Sequence, residues 1–219
     1  QCYDELCDRN PNRFAFQFGR GASAGFLLSG TPSIRAMWYI GHLRSGFEEA
    51  VRIQPNSLFS RRALFNIYLG LPRLLGGSDA KADQQIKAIQ LLNPLEATIA
   101  KVFFAMKNKV QTAFDKQATI AYNDSKNKLV INDSRYELAM IASQYFDDTE
   151  RAINLLNEFL SNASAGDQYP PVFARYRLAE LMPNNAQELL SIRSEVAELD
   201  TILFTYDPLS AYIRKIMAN

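Results

Sequence analysis

The sequence predicts an all-α protein, an α-α superhelix in which antiparallel helix pairs stack as a solenoid. Apolar residues recur at intervals of three and four, breaks at Pro, Gly and Asn divide the chain into short segments, and related segments return after about 40 residues. Alternation with a period of two, which is typical of half-buried strands, does not extend over any length. Short helices joined by short turns pack as antiparallel neighbours. We therefore expect one helical-repeat domain over residues 1–219.

The composition excludes several classes of protein. The chain of 219 residues can bury a sizeable core, and its 47% hydrophobic and 21% charged residues are ordinary for a globular protein. The chain has 24 Lys and Arg and 23 Asp and Glu, which gives a net charge of +1. A chain so close to neutral has no bulk electrostatic attraction to nucleic acid or anionic lipid. No stretch approaches the roughly 20 apolar residues that span a bilayer. We expect no nucleic-acid partner and no membrane-spanning segment.

The first helices are delimited by their small residues and prolines. The stretches RFAFQF and FLLSG continue into one another through a run of small residues, which predicts a single helix. The next helix covers residues 33–53, where Thr31 can serve as the N-cap and Pro32 fits the first turn. Pro55 ends this helix, and its apolar spacing places Trp38 in the core between the first helix pairs.

The later helices are separated by similar signals. A helix over residues 58–75 ends at Gly76-Gly77, and Ser78 caps the helix that follows and ends at Asn93-Pro94. The segment 126–134 fits no clear helical pattern and is compatible with a short extended link. Further helices, for a total of about eleven or twelve, are predicted over 95–109, 109–126, 134–146, 148–162, 172–181, 185–204 and after Pro208.

The spacing of related segments supports a repeat architecture. Ala50 and Pro55 lie at the close of one helix and Ala88 and Pro94 at the close of another, and the two prolines are 39 residues apart. The pattern Tyr-x-Leu-Ala at Tyr136 recurs at Tyr176, a shift of 40 residues. A helix pair that repeats at this interval cannot bury its apolar face alone, so neighbouring pairs stack on a continuous core.

The stretch FEEAVRIQPNSLFSRRALFNIYL resembles a junction between tetratricopeptide repeats, with an Ala-x4-Pro pattern at Ala50 and a Leu-x3-Tyr pattern at Leu64. The continuation LGLPRLLGGSDAKADQQIKAIQLLNP is similar to a variant in secreted bacterial proteins of this class. The resemblance is strongest at 45–94 and 134–182, whereas 95–133 is irregular. It implies a bacterial protein that is periplasmic or secreted, with its leader absent from the given chain, although a cytoplasmic location stays open.

The resemblance also implies a binding surface. First helices of tetratricopeptide pairs line a concave groove, and Arg62 and Asn66 match positions where peptide-clamping members grip a ligand carboxylate. Arg62 and Asn66 lie four residues apart and so share a helix face. The guanidinium of Arg can donate two parallel hydrogen bonds to a carboxylate. A solvated Arg-Asn pair on an ordinary helix is the alternative. The remaining groove candidates are Phe59, Tyr176 and Arg177.

The two cysteines, Cys2 and Cys7, both lie near the start of the chain. On a helix they point in different directions, so they are either small apolar residues of a first helix or, if the start is not helical, a local disulfide. With His42 as the sole His, a zinc site is not expected.

Other chemical signals are weak. Gly19, Gly21 and Gly25 lack the strand context of a dinucleotide loop and are better explained by close helix packing. Gly76-Gly77-Ser78 is better explained as a pair of helix caps than as an anion site. The adjacent acids Glu48-Glu49 and Asp147-Asp148 point away from each other on a helix, so they do not make a general acid–base pair.

These observations favour a protein without enzymatic activity and without a cofactor, which binds a protein or peptide in a concave groove. The alternative is a periplasmic small-molecule carrier or transport accessory protein with an apolar pocket between stacked helices. An open groove would favour a peptide, whereas a closed cavity lined by Phe and Leu would favour a small ligand. An enzyme would require a cluster of carboxylates beside His42 in a cleft.

Overall fold

The computed structural model describes residues 2–28, 33–124, 126–164, 166–182 and 208–218, with only the backbone described for 33–36, 208, 210 and 211. Every regular element in these ranges is helical, so the predicted all-α class is confirmed. They contain one 3₁₀ turn, Arg73–Leu75, and eleven α-helices. The helices are α1 Cys2–Arg9, α2 Phe14–Leu28, α3 Ser33–Ile53, α4 Leu58–Gly70, α5 Asp79–Leu92, α6 Pro94–Lys107, α7 Gln111–Asn123, α8 Asn132–Tyr145, α9 Thr149–Ser161, α10 Pro171–Leu181 and α11 Pro208–Met217.

The chain divides into two compact units, residues 1–100 and 101–219, and α6 runs across the boundary. In the first unit α1 packs on α2, α2 on α3, α3 on α4 and α4 on α5. In the second unit α8 packs on α7, α9 and α11, and α9 also packs on α10. Successive helices therefore form hairpins, which is consistent with a helical-repeat arrangement. That all 219 residues make one repeat domain stays a prediction.

Helices α2 and α3 approach each other closely at two glycines. A Cβ on Gly46 of α3 would lie 2.5 Å from the backbone nitrogen of Gly21 and 2.8 Å from the carbonyl oxygen of Gln17, both on α2. A Cβ on Gly21 would lie 2.9 Å from the ring of Phe47. The small residues between 19 and 25 thus serve helix packing, as the sequence predicts, and they lie within α2 rather than in a loop.

The predicted helix over 58–75 is wrong in its last five residues, because α4 ends at Gly70. Leu71 is extended, with φ −76° and ψ 146°, and Pro72 cannot donate the backbone hydrogen bond that would continue the helix. The chain then makes a 3₁₀ turn that ends at Gly76, whose φ of 98° lies in the left-handed region. The predicted cap is confirmed, since Ser78 Oγ accepts from the Lys81 amide at 3.3 Å.

The second unit is built around α8. Its first turns carry a polar and aromatic cluster, in which the rings of Tyr136 and Tyr169 stack at 4.5 Å and the Tyr169 hydroxyl donates to Glu137 at 3.4 Å. Asn132 Nδ2 donates to the Phe159 carbonyl at 3.1 Å and so ties α8 to the end of α9. Helix α11 buries Leu209 and Ile213, which are 1% and 0% exposed.

Several expectations about individual residues can be settled here. Trp38 is 53% exposed, so the prediction that it belongs to the core is wrong. Cys2 and Cys7 both lie on α1, and both thiols are free in this structure. The predicted cap and first turn of α3 at Thr31 and Pro32, and the predicted helix over 185–204, lie outside the described residues.

Candidate functional site

A surface cavity in the first unit lies beside Phe59, one of the groove candidates. Its volume is 390 Å³, and Phe59 is 52% exposed at its edge. The cavity lies between the start of α2 and the turn that joins α3 to α4, and we call it the aromatic pocket. It is lined by Phe14, Phe18, Gln54, Asn56, Ser57, Leu58 and Phe59.

The α2 wall of the aromatic pocket is an aromatic pair. Phe14 and Phe18 lie one helical turn apart, so their side chains point to the same face, and their rings are 5.6 Å apart. The Phe18 ring meets the Phe47 ring of α3 edge-on at 5.4 Å. This contact holds the wall against α3, because Phe47 is only 6% exposed. The apolar side of the pocket is therefore fixed by the packing of α2 on α3.

The opposite wall is the turn after α3. Ser57 caps α4, since its Oγ accepts from the Ser60 amide at 3.3 Å, and its own amide donates to the Gln54 carbonyl at 3.0 Å. This cap places Phe59 in the first turn of α4, where the residue is 52% exposed. The side chains of Gln54 and Asn56 are exposed at the rim. Their amides can both donate and accept hydrogen bonds beside an apolar surface.

The structure places the predicted pair Arg62 and Asn66 on the same face of α4 as Phe59, but that face becomes buried along the helix. Asn66 is half-buried, and Arg62 is only 5% exposed, with its guanidinium over the Phe65 ring at 5.6 Å. A clamp for a ligand carboxylate requires an accessible cation. The burial of Arg62 leaves Phe59 as the accessible residue of the three.

The other two candidates lie on α10 in the second unit. Arg177 is 3% exposed, donates to Glu180 Oε2 at 2.7 Å, and lies over the Tyr176 ring at 5.5 Å. Its side chain is therefore held within its own helix rather than presented to solvent. Tyr176 is half-buried. Phe59, Arg62 and Asn66 belong to one compact unit and this pair to the other.

A charged cluster on the far end of α4 connects three helices of the first unit. The Tyr68 hydroxyl donates to Glu48 Oε1 at 2.7 Å, and Lys81 Nζ lies 3.8 Å from the same oxygen and 5.2 Å from the centre of the Tyr68 ring. Arg44 reaches Glu48 at 3.9 Å and the Leu75 carbonyl at 3.4 Å. Burial and the hydrogen bond to Glu48 raise the pKa of the Tyr68 phenol. Because these groups satisfy one another, the cluster stabilises the helix arrangement.

A second cavity, of 410 Å³, lies at the end of α7 and is lined mainly by polar side chains. Its one carboxylate, Asp124, accepts hydrogen bonds from the backbone amides of Lys126 and Asn127 at 2.9 and 3.0 Å. These two bonds stabilise the local turn. His42 Nδ1 lies 3.3 Å from Asp4 Oδ1, and the His42 ring lies 3.9 Å from the Trp38 ring at an interplanar angle of 59°. Within the described ranges no three His, Cys, Asp or Glu side chains form a cluster that could hold a metal ion.

No family model matches this chain, and no curated protein matches it either. The resemblance to tetratricopeptide repeats therefore stays a prediction. In the part of the chain that the structure describes, no helix is both long and apolar enough to cross a bilayer.

Sequence reasoning identified Phe59 but missed the two residues that face it across the pocket. Phe14 and Phe18 are an aromatic pair at i and i+4, a signal that was visible in RFAFQF. What the sequence did not indicate is that the start of α2 lies next to the end of α3, 40 residues away, a proximity also shown by the 2.8 Å hydrogen bond from Arg52 to Asn12.

Proposed function

We propose that the protein is a helical-repeat scaffold without enzymatic activity, which binds a peptide or a protein segment by placing one large apolar side chain in the aromatic pocket. The observation that carries the proposal is the half-exposed ring of Phe59 at the edge of a 390 Å³ cavity backed by Phe14 and Phe18. Aromatic side chains around a depression are typical of the residues that dominate protein interfaces. Binding in this pocket is reversible and involves no chemical step.

The rim of the pocket supports a peptide over a small apolar ligand. Gln54 and Asn56 are exposed, and their amides can form hydrogen bonds with the backbone of a bound segment. The cavity opens to solvent and is at the low end of the range of about 300–1,000 Å³ in which small-molecule pockets fall. The resemblance to secreted bacterial tetratricopeptide-repeat proteins supports a periplasmic or secreted location for this activity.

The test begins with a library of random twelve-residue peptides displayed on phage and selected against the intact chain. We expect selected peptides to share one aromatic or large aliphatic residue, and we expect Phe59→Ala to weaken their binding by about tenfold, as loss of a central interface aromatic does. Fluorescence polarisation with synthetic peptides measures the change. Leu91→Ala is the matched control, because Leu91 lies in the same unit and is 88% exposed but distant in sequence from the pocket.

Three results would count against the proposal. The first is a selection that yields no peptide above background, and the second is equal binding by wild type and Phe59→Ala. The third is a thermal-shift screen in which lipophilic small molecules raise the melting temperature of wild type but not of Phe59→Ala, while peptides do not. That last result would favour the small-molecule carrier.

A further inference from the structure

The two segments that line the aromatic pocket carry positive charge and no negative charge. Residues 10–28 contain α2 and the turn before it, and residues 54–70 contain α4 and the turn before it. Neither segment contains an Asp or Glu, whereas together they contain four arginines, Arg13, Arg20, Arg61 and Arg62. The pocket therefore lies between two positively charged segments, although the whole chain is close to neutral.

Arg61 lies next to the rim of the pocket on the α4 side. Its Nε donates to the Pro55 carbonyl at 2.6 Å, and Pro55 directly precedes Asn56, which lines the pocket. Its Nη1 donates to Gln85 Oε1 of α5 at 3.1 Å. Both partners are neutral, so neither compensates the charge of the guanidinium. Burial lowers the pKa of Arg61 because the cation has lost part of its hydration, and a carboxylate at the rim would oppose that shift.

Arg13 lies at the opposite wall of the pocket. It directly precedes Phe14, which is the first residue of α2 and lines the pocket. The Arg13 side chain is exposed, and its guanidinium carbon lies 4.9 Å from the centre of the Phe16 ring, a neutral partner. Charges act over a Debye length of about 8 Å at physiological ionic strength. Arg13 therefore contributes to the electrostatic potential at the rim without lining the pocket itself.

The charges of the neighbouring helix ends compensate one another. In the last turn of α3, Arg52 Nε lies 2.7 Å from Glu49 Oε2. At the end of α1, Asp8 and Arg9 are adjacent in the sequence. The uncompensated charges at the two walls are thus positive. They disfavour a cationic side chain in the pocket, although phenyl rings can bind cations, and they favour an anionic neighbour for the bound apolar residue.

We propose that the aromatic pocket binds a segment in which acidic side chains lie on both sides of the large apolar residue, an inference that rests on the proposed function. The apolar residue contacts the Phe rings, and the carboxylates before and after it face Arg61 on one wall and Arg13 on the other. A C-terminal carboxylate would supply a single charge on one side, so two cations on opposite walls fit an internal segment better. Charges placed in this way accelerate association and set specificity.

The experiment repeats the phage selection with wild type and with the double variant Arg13→Gln and Arg61→Gln. We expect Asp and Glu to be enriched within two positions of the apolar residue for wild type but not for the variant. Synthetic peptides with amidated C-termini then test the charge by fluorescence polarisation. Changing their acids to Asn and Gln should weaken binding to wild type by about tenfold at low salt, and the double variant should bind both peptides equally.

The matched control is the double variant Arg73→Gln and Lys87→Gln. Both side chains are exposed in the same unit, neither lines the pocket, and the same net charge is lost. This variant should keep the preference for acidic peptides. Arg61→Lys keeps the positive charge without the guanidinium and should also keep the preference, which separates the effect of charge from that of the bond to Pro55. Thermal melts check that each variant folds.

The possible results distinguish this inference from the proposed function. Selected peptides that share an apolar residue without flanking acids would overturn the inference and leave the proposed function standing. A selection that yields no peptide with an apolar residue in common would overturn both. An equal preference for acids in wild type and in Arg13→Gln, Arg61→Gln would also overturn the inference. So would binding that requires a free C-terminal carboxylate, which would indicate that the pocket captures chain ends.

Discussion

The phenol of Tyr145 on α8 donates a hydrogen bond to Asp115 Oδ1 on α7 at 2.6 Å. Gln111 Nε2 donates to the same carboxylate oxygen at 2.7 Å, and the Phe114 ring beneath them is fully buried. A similar contact, from Tyr122 to Asp148 at 2.7 Å, connects the end of α7 to the turn before α9. In the first unit Tyr68 and Glu48 connect α4 to α3 in the same way. Tyr-to-carboxylate bonds thus set the registers of neighbouring helices in both units.

Removing the Tyr145 hydroxyl should destabilise the protein. We expect Tyr145→Phe to lower the free energy of unfolding by about 1–2 kcal/mol, since a partly buried hydrogen bond to a charged group is lost while the ring contacts remain. Urea denaturation measures the change. In a double-mutant cycle with Asp115→Asn, the coupling free energy should be at least about 0.5 kcal/mol, and additive effects would show that the two side chains act independently.

The same bond predicts a change of stability at alkaline pH. Burial, and then the hydrogen bond to Asp115, raise the pKa of Tyr145 to about 12. Because the folded pKa exceeds the unfolded value of about 10, the stabilisation is complete below about pH 10 and is lost as the pH rises towards about 12. The difference in melting temperature between wild type and Tyr145→Phe should therefore narrow over this range. A difference that stays constant would contradict the assignment.

Local chemistry in the sequence was sufficient to predict the all-α class and some of the helix caps. The Ser78 cap depends on residues within one turn, so its signal is complete in the sequence. Pro72 carried an equally local signal, which the prediction of a helix over 58–75 did not use. The bond between Tyr145 and Asp115 joins residues 30 positions apart, and its register depends on how two helices pack.

The candidate site also shows that the sequence indicates local geometry but not the packing of distant helices. The i, i+4 spacing indicates correctly that Arg62 and Asn66 share a face of α4, but it does not indicate whether other helices cover that face. The burial of Arg62 and the exposure of Trp38 are both set by neighbouring helices. Trp38 has a helical spacing typical of the core, yet α3 extends beyond α4 at this position.

Helix packing between α2 and α3 gives a prediction with an internal control. Gly46→Ala should destabilise the protein by about 3 kcal/mol, since the added methyl group would meet the α2 backbone, which cannot move aside as a flexible side chain could. Gly41→Ala lies on the same helix with no atom within 4 Å of the new Cβ. It should stabilise the protein by about 0.5–1 kcal/mol through helix propensity alone.

Chemical denaturation of the two glycine variants measures the contrast in sign. If both substitutions were stabilising, α2 and α3 would be farther apart than the structure places them. A loss of stability in Gly41→Ala would indicate instead that a neighbour covers the middle of α3.

The last prediction concerns helix α11, which packs on α8. Ile213 is fully buried, whereas Met217, one turn later, is 58% exposed. Ile213→Ala should lower the free energy of unfolding by about 2–4 kcal/mol because it leaves a cavity between the helices, and Met217→Ala should change it by less than about 0.5 kcal/mol. The ring of Tyr212 lies 4.9 Å from Phe114 and its hydroxyl donates to Gln111 at 3.0 Å, so detachment of α11 would also expose the buried Phe114 ring on α7.

Hydrogen exchange of the Ile213→Ala variant then distinguishes two outcomes. Faster exchange throughout α7 and α8 in Ile213→Ala would show that α11 is part of the cooperative unit, whereas faster exchange confined to α11 would show that the rest of the unit is stable without it and would contradict the prediction.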